Sequence, residues 1–132
     1  MAESALKEVL TEKEWNEYQR TGNVTFIGSD GNGYRVGLRG SISGNVMQLH
    51  PNGQPNCSVC CHQMGMDAQM MTRQDVYASQ ILWLKTDARE FLRIGVPHGR
   101  LLPPQPTRVP ERFQKKRRKL LRDHLGRFAR AT

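Results

Sequence analysis

Cys57-Ser58-Val59-Cys60-Cys61-His62 joins a C-x-x-C knuckle to an imidazole, and His50 lies seven residues ahead of the first cysteine. Two thiolates at that spacing can grip one tetrahedral zinc ion, with His62 or His50 supplying nitrogen donors. Cys57, Cys60, His62 and His50 are therefore the candidate metal ligands, and zinc is the candidate cofactor. A structural site takes four ligands and no second knuckle is present; consecutive strand residues also alternate between faces, so buried free thiols compete with zinc here. A cysteine nucleophile has His62 nearby but no third group to orient the base. Met64, Met66, Met70 and Met71 form a local cluster whose thioethers suit a soft cation such as Cu(I), although an adaptable protein-contact loop is the commoner use of methionine. No catalytic residue is assigned, and the expectation is a protein that is not an enzyme.

A second chemistry is written in the tail. Arg112, Lys115, Lys116, Arg117, Arg118, Lys119 and Arg122 crowd together and are followed by Arg127 and Arg130. Cations at this density neutralise phosphates and release counterions, which gives salt-sensitive, sequence-indifferent binding. Arginine adds bidentate phosphate contacts and lysine a point charge. Phe113, His124 and Phe128 are available to stack on unpaired bases. Nucleic acid, DNA or RNA, is the first partner expected; docking of the arm on acidic neighbouring protein subunits of a larger assembly is the second. The glycine-rich stretch from Gly28 to Gly33 invites comparison with a phosphate loop. It lacks the spacing and the terminal Lys-Ser/Thr of one, and a strand follows it, so its glycines read as turn residues.

The charge is segregated along the chain. Residues 99 to 132 hold eleven of the twenty Lys/Arg and two of the twelve acids, which leaves residues 1 to 98 near neutral and puts about nine positive charges on the rest. With 132 residues there is room for one compact domain and an appendage, and a multi-domain enzyme is excluded. The boundary is expected at 98/99: a compact domain over 1–98, then a Pro-rich arm and basic tail over 99–132. No apolar run approaches a membrane span and the N-terminal stretch is polar, so no membrane partner is expected. Three cysteines within five residues are poorly placed to close useful loops, which favours a reducing compartment, the cytoplasm or the inside of a virion.

The elements that must position these residues can be read from local signals. Thr11 and Glu14 make a capping box for a helix ending at Gly22, with Leu10 placed to staple onto Trp15. Val24 and Phe26 alternate with polar neighbours, as do Tyr34, Val36 and Leu38 beyond the loop, giving a hairpin. Asn45 to His50 reads as a third strand, and Asn56 to Cys60, past the Pro51-Asn52-Gly53-Gln54 turn, as a fourth. Thr72 and Asp75 repeat the capping grammar. Tyr77, Ile81, Leu84, Ala88 and Phe91 then recur at intervals of four and three, with a break and a fresh cap near Thr86-Asp87. Pro97, Pro103, Pro104, Pro106 and Pro110 impose an extended path, and Glu111 to Leu125 reads as a basic helix. The expected fold is α+β: a short N-terminal helix, a four-stranded antiparallel meander, a C-terminal helical pair as cover, then the extended arm and basic helix.

The succession Val24-Thr25-Phe26-Ile27-Gly28-Ser29, Gly33-Tyr34-Arg35-Val36, Ser43-Gly44-Asn45-Val46, Cys61-His62, Thr86-Asp87 and Glu90-Phe91-Leu92-Arg93 resembles an uncharacterised small domain of actinobacteria and their phages. Residues 11 to 95 carry the resemblance. Ala88 stands where that pattern has an acid, and Cys61 and His62 lack its intervening residue, which weighs against a shared metal role. The end Arg122-Asp123-His124-Leu125-Gly126-Arg127-Phe128-Ala129 is similar to R-D-x-x-G-R-F-A ends of assorted phage proteins. The resemblance implies the fold above and a phage-like setting, without an activity. The functional expectation is a non-enzymatic accessory protein, of phage or ribonucleoprotein type, that holds nucleic acid phosphates through its tail. A structural virion component whose arm lies on neighbouring subunits is the alternative, and a small zinc-dependent protein the third.

Overall fold

A computed structural model describes residues 2–42, 44–60 and 72–105. Its element order is α1 (Ala2–Val9), α2 (Glu12–Thr21), β1 (Asn23–Ile27), β2 (Gly33–Gly37), β3 (Val46–Leu49), β4 (Pro55–Cys60), α3 (Arg73–Ile94) and β5 (Val96–Pro97). The architecture is α+β, with one antiparallel sheet in the order β1-β2-β3-β4-β5.

Both capping signals are realised. Thr11 Oγ1 accepts from the Glu14 N–H at 3.2 Å while Glu14 Oε1 accepts from the Thr11 N–H at 2.9 Å, and Gly22 closes α2 in the left-handed region at φ 81°. Thr72 Oγ1 likewise accepts from the Asp75 N–H at 3.2 Å to start α3. The expectation of a single N-terminal helix is corrected by α1, which buries Leu6 and Val9 and packs against α3. An ammonium locks this junction: Lys85 Nζ of α3 donates to the Val9 carbonyl at 2.9 Å and pairs with Glu14 at 2.5 Å, 5.3 Å from the Phe26 ring centroid. Burying two charges is tolerable here because each has a partner.

The sheet also differs from the four-stranded expectation. Its first four strands form the expected meander, and β5 adds a fifth by pairing with β4 after the whole of α3 has intervened. A strand of two residues, one of them proline, is too short to leave a period-two pattern in the sequence. The C-terminal cover is the expected pair of helices, run together as α3 across a kink at Asp87, whose φ and ψ of −153° and 69° are non-helical. The expected fresh cap is present, since Asp87 Oδ1 accepts from the Glu90 N–H at 3.3 Å. At the bend the Ala88 N–H donates to Ser29 Oγ at 2.8 Å and the Leu84 carbonyl accepts from the Ser29 N–H at 2.9 Å, so the first turn of the hairpin satisfies the groups the kink releases.

Two cross-strand rows occupy the inner face of the sheet. One runs Val24, Val36, Val46, Val59, and the next runs Phe26, Tyr34, Gln48, Cys57. All four valines are buried in one cluster with Tyr77, Ile81, Leu84, Ala88 and Phe91 of α3. Tyr77 and Gln80 also tie α3 to the β2–β3 connection, through the Gly40 carbonyl and a reciprocal amide pair with Asn45.

Candidate functional site

The second row is covered in two ways: Phe26 and Tyr34 belong to the core cluster with α3, whereas Gln48 and Cys57 lie under the backbone segment that follows β5. Beyond β5, residues 98–105 have no regular secondary structure and run as a strap from β4 to the β1–β2 turn. His98 N–H donates to the Ser58 carbonyl at 2.9 Å, and Asn56 Nδ2 to the Arg100 carbonyl at 2.9 Å. Leu102 N–H donates to Gln48 Oε1 at 2.8 Å, Asn32 Nδ2 to the Pro103 carbonyl at 3.1 Å, and Gln105 N–H to the Asp30 carbonyl at 2.6 Å. The contacts of the body thus continue past residue 98 to Gln105, where the described chain stops. Proline suits such a segment because its φ is preset and it brings no N–H to satisfy.

Under the strap lies a connected set of polar side chains. Tyr34 Oη donates to Asp30 Oδ2 at 2.5 Å and accepts from Gln48 Nε2 at 3.3 Å, and Gln48 Oε1 also accepts from Asn56 Nδ2 at 2.9 Å. Asp30, Asn32, Tyr34 and Gln48 are all buried. Burial, helped by the hydrogen bond to the Asp30 carboxylate, pushes the Tyr34 phenol far above its usual range. Asp30 Oδ1 also accepts from the Asn32 N–H at 3.2 Å, an Asx turn inside the hairpin loop. The loop is a turn, as its glycines indicate, and its acid faces the body. Gly31 is required twice over: its φ is 83°, and a Cβ there would stand 2.2 Å from the Gln105 carbonyl oxygen.

The candidate metal ligands are distributed as follows. Cys57 and Cys60 lie three apart on β4, with Cys57 buried on the inner face beside Val59 and Cys60 half-buried on the other face. Burial pushes the Cys57 thiol up, and its Sγ lies 4.0 Å from the Arg100 carbonyl, under the strap. Cys60 Sγ is 3.1 Å from Nε2 of His98, a histidine absent from the expected ligand set. His50 instead lines a groove of about 550 Å³ between the β1–β2 and β3–β4 turns, with Ile27, Leu49, Pro51 and Gln105. His62 lies outside the described residues. Among the described residues no three His, Cys, Asp or Glu side chains form a group able to hold a metal ion.

The nine basic residues of the tail, Arg112, Lys115, Lys116, Arg117, Arg118, Lys119, Arg122, Arg127 and Arg130, also lie outside the described residues, as do the methionine cluster and the expected basic helix. What is described is the point from which the tail departs, pinned at Gln105 to the hairpin turn. Among the described residues no helix is long and apolar enough to cross a membrane. Sequence reasoning missed His98, Asp30, Asn32, Gln48 and Asn56. Only the antiparallel pairing of β5 with β4 brings His98 to Cys60, across 38 residues, and no local pattern announces it.

The fold and site define an α+β domain whose sheet is covered by a helix and, over Gln48 and Cys57, by a strap. No family model, curated protein or solved structure matches the chain.

Proposed function

We propose that the protein is a non-enzymatic accessory protein, of phage or ribonucleoprotein type, that holds nucleic acid through the phosphates with its C-terminal tail. The observation that carries this is the segregation of charge, eleven basic residues against two acidic ones after residue 98. The body supports it by contrast, because several of its own cations are engaged internally. Lys85 pairs with Glu14, Arg93 with Glu90, and Arg39 Nη2 donates to the last carbonyls of α2 at Tyr18 and Gln19. Arg112, Lys115, Lys116, Arg117, Arg118, Lys119, Arg122, Arg127 and Arg130 carry the role.

The test is anisotropy binding of labelled duplex DNA, single-stranded DNA and RNA across a salt series. The full chain is compared with a full-length variant in which Lys115, Lys116, Arg117, Arg118 and Lys119 are all glutamine, since cutting at residue 98 would also remove the strap. Binding by the unsubstituted chain should weaken steeply with salt, and on duplex DNA the variant's log–log slope should be shallower by up to about 4.5 units, from about 0.9 per neutralised phosphate. Absence of binding at low salt, or a slope unchanged by the five substitutions, overturns the proposal and directs the search to protein subunits as the tail's partner.

A further inference from the structure

The two described cysteines have opposite surroundings. Cys57 is buried beneath the strap, its thiol pushed up by burial, with the Arg100 carbonyl beside it and Gly99 so close that a Cβ there would meet Cys57 Cβ at 2.8 Å. A thiol in that setting is a packing element. Cys60 is half-buried, and its Sγ lies 3.1 Å from the Nε2 of an exposed histidine, His98. A nucleophilic sulfur with an imidazole nitrogen in hydrogen-bond reach is the minimal arrangement in which the nitrogen can take the thiol proton as the sulfur attacks. The position adds a consequence. Cys60 pairs with Val96 in the β4–β5 ladder, and His98, where the strap begins, donates its N–H to the Ser58 carbonyl. A group attached to Cys60 therefore sits against a side chain that lies at the strap's anchored end.

We propose that Cys60, served by His98, is a modification site for low-molecular-mass disulfides, and that its modification loosens the start of the strap. The Cys60 sulfur attacks one sulfur of the incoming disulfide, a mixed disulfide forms, and the original S–S bond breaks with its electron pair leaving on the second sulfur. Cys60 is oxidised and the departing sulfur reduced. The thiol proton passes to His98 Nε2 and from there to the departing thiolate, so the incoming disulfide is the only co-reactant required. This is independent of the tail's role.

The probe is 5,5′-dithiobis(2-nitrobenzoate), applied to the folded full chain carrying Cys61→Ser, with peptide mapping to follow Cys57 and Cys60 separately. Cys60 should react at least about tenfold faster than Cys57, and His98→Ala should slow Cys60 by about fivefold or more, within the range of general-base assistance. Cys57 reports on folding: its rate stays low wherever the strap is intact. If His98→Ala raises it, His98→Asn, which keeps a polar group without a base, is judged by the same criterion. Hydrogen exchange of the labelled protein should show faster exchange at the His98 amide than in the unlabelled protein. A Cys60 rate no greater than that of Cys57, or one that is within twofold of the parent in His98 variants with Cys57 still protected, overturns the assignment. Unchanged exchange at His98 after labelling overturns the coupling to the strap.

Discussion

The row Val24, Val36, Val46, Val59 and the Gln48–Cys57 end of the row beside it are neighbours on one face of one sheet, yet they are closed by opposite means. The valine row meets an apolar stripe of α3, and its cohesion is non-directional, proportional to the area removed from water. The Gln48–Cys57 end meets a backbone segment with donors and acceptors of its own, and its cohesion depends on matching them one by one to Gln48, Asn56, Asn32 and Asp30. A helix covers by burying side chains; a proline-containing strap covers by presenting carbonyls and a few N–H groups at fixed places. The first tolerates apolar substitutions of similar volume, whereas in the second each polar group lost leaves a partner unpaired.

Phe91→Ala breaks the helix-covered half and should have the largest effect. Phe91 is fully buried and stands 6.2 Å from Trp83 in an edge-on arrangement, so its removal should cost about 3 to 5 kcal/mol in urea unfolding. Amide protection should fall across the whole core together, because the loss is shared by the cooperative unit. Gln48→Ala attacks the other half. It removes the acceptor of the half-buried Leu102 N–H and one of the two acceptors of Asn56 Nδ2, which keeps the Arg100 carbonyl, and should cost about 1 to 3 kcal/mol. Here hydrogen exchange should accelerate first at the Leu102 and Gln105 amides, ahead of the core; uniform loss of protection would mean that the two halves are not separable.

Tyr34→Phe sharpens the comparison with a smaller change, about 1 to 2 kcal/mol near neutral pH, since it deletes the hydroxyl joining Asp30 to Gln48 and leaves the ring in place. Its signature is in alkali. The folded state holds the Tyr34 proton more tightly than the unfolded chain does, so the associated stability is complete below about pH 10 and declines as pH rises further. Denaturation curves between pH 9 and about 11 should show that decline in the parent and a flatter one in Tyr34→Phe. The slope that is left belongs partly to Tyr77, whose phenol is also raised by burial.

The same contrast explains what was legible in the sequence. Caps at Thr11 and Thr72, the hairpin, the stripe of α3 and its break at Asp87 are local patterns, each fixed by residues within a few positions. They gave the meander and its helical cover. Helix α1 left a brief apolar signal, Leu6, Val9 and Leu10, that a window of one or two turns barely resolves. The strap left none, because Gln48 and Leu102 meet 54 positions apart and Asn32 and Pro103 meet 71 apart. Glutamine and asparagine in a strand signal only that something polar must arrive, without saying what. The candidate site was legible to the same degree: the cysteines were visible as chemistry, but their assignment to opposite faces, and the choice of His98 over His50 beside Cys60, came only with the β4–β5 pairing.

Glu17 of α2 reaches across to β1, where one carboxylate oxygen accepts from the Thr25 N–H and the other from its hydroxyl, each at 2.9 Å. At the opposite end of the sheet β5 is two residues long and finishes in a proline, which has no N–H to give. Each flank is therefore a poor template for a further strand. A second copy meeting the sheet edge-on finds a carboxylate on one side and a donorless ring on the other, so strand-by-strand polymerisation into fibres is discouraged at both ends by residues that contribute little to the core.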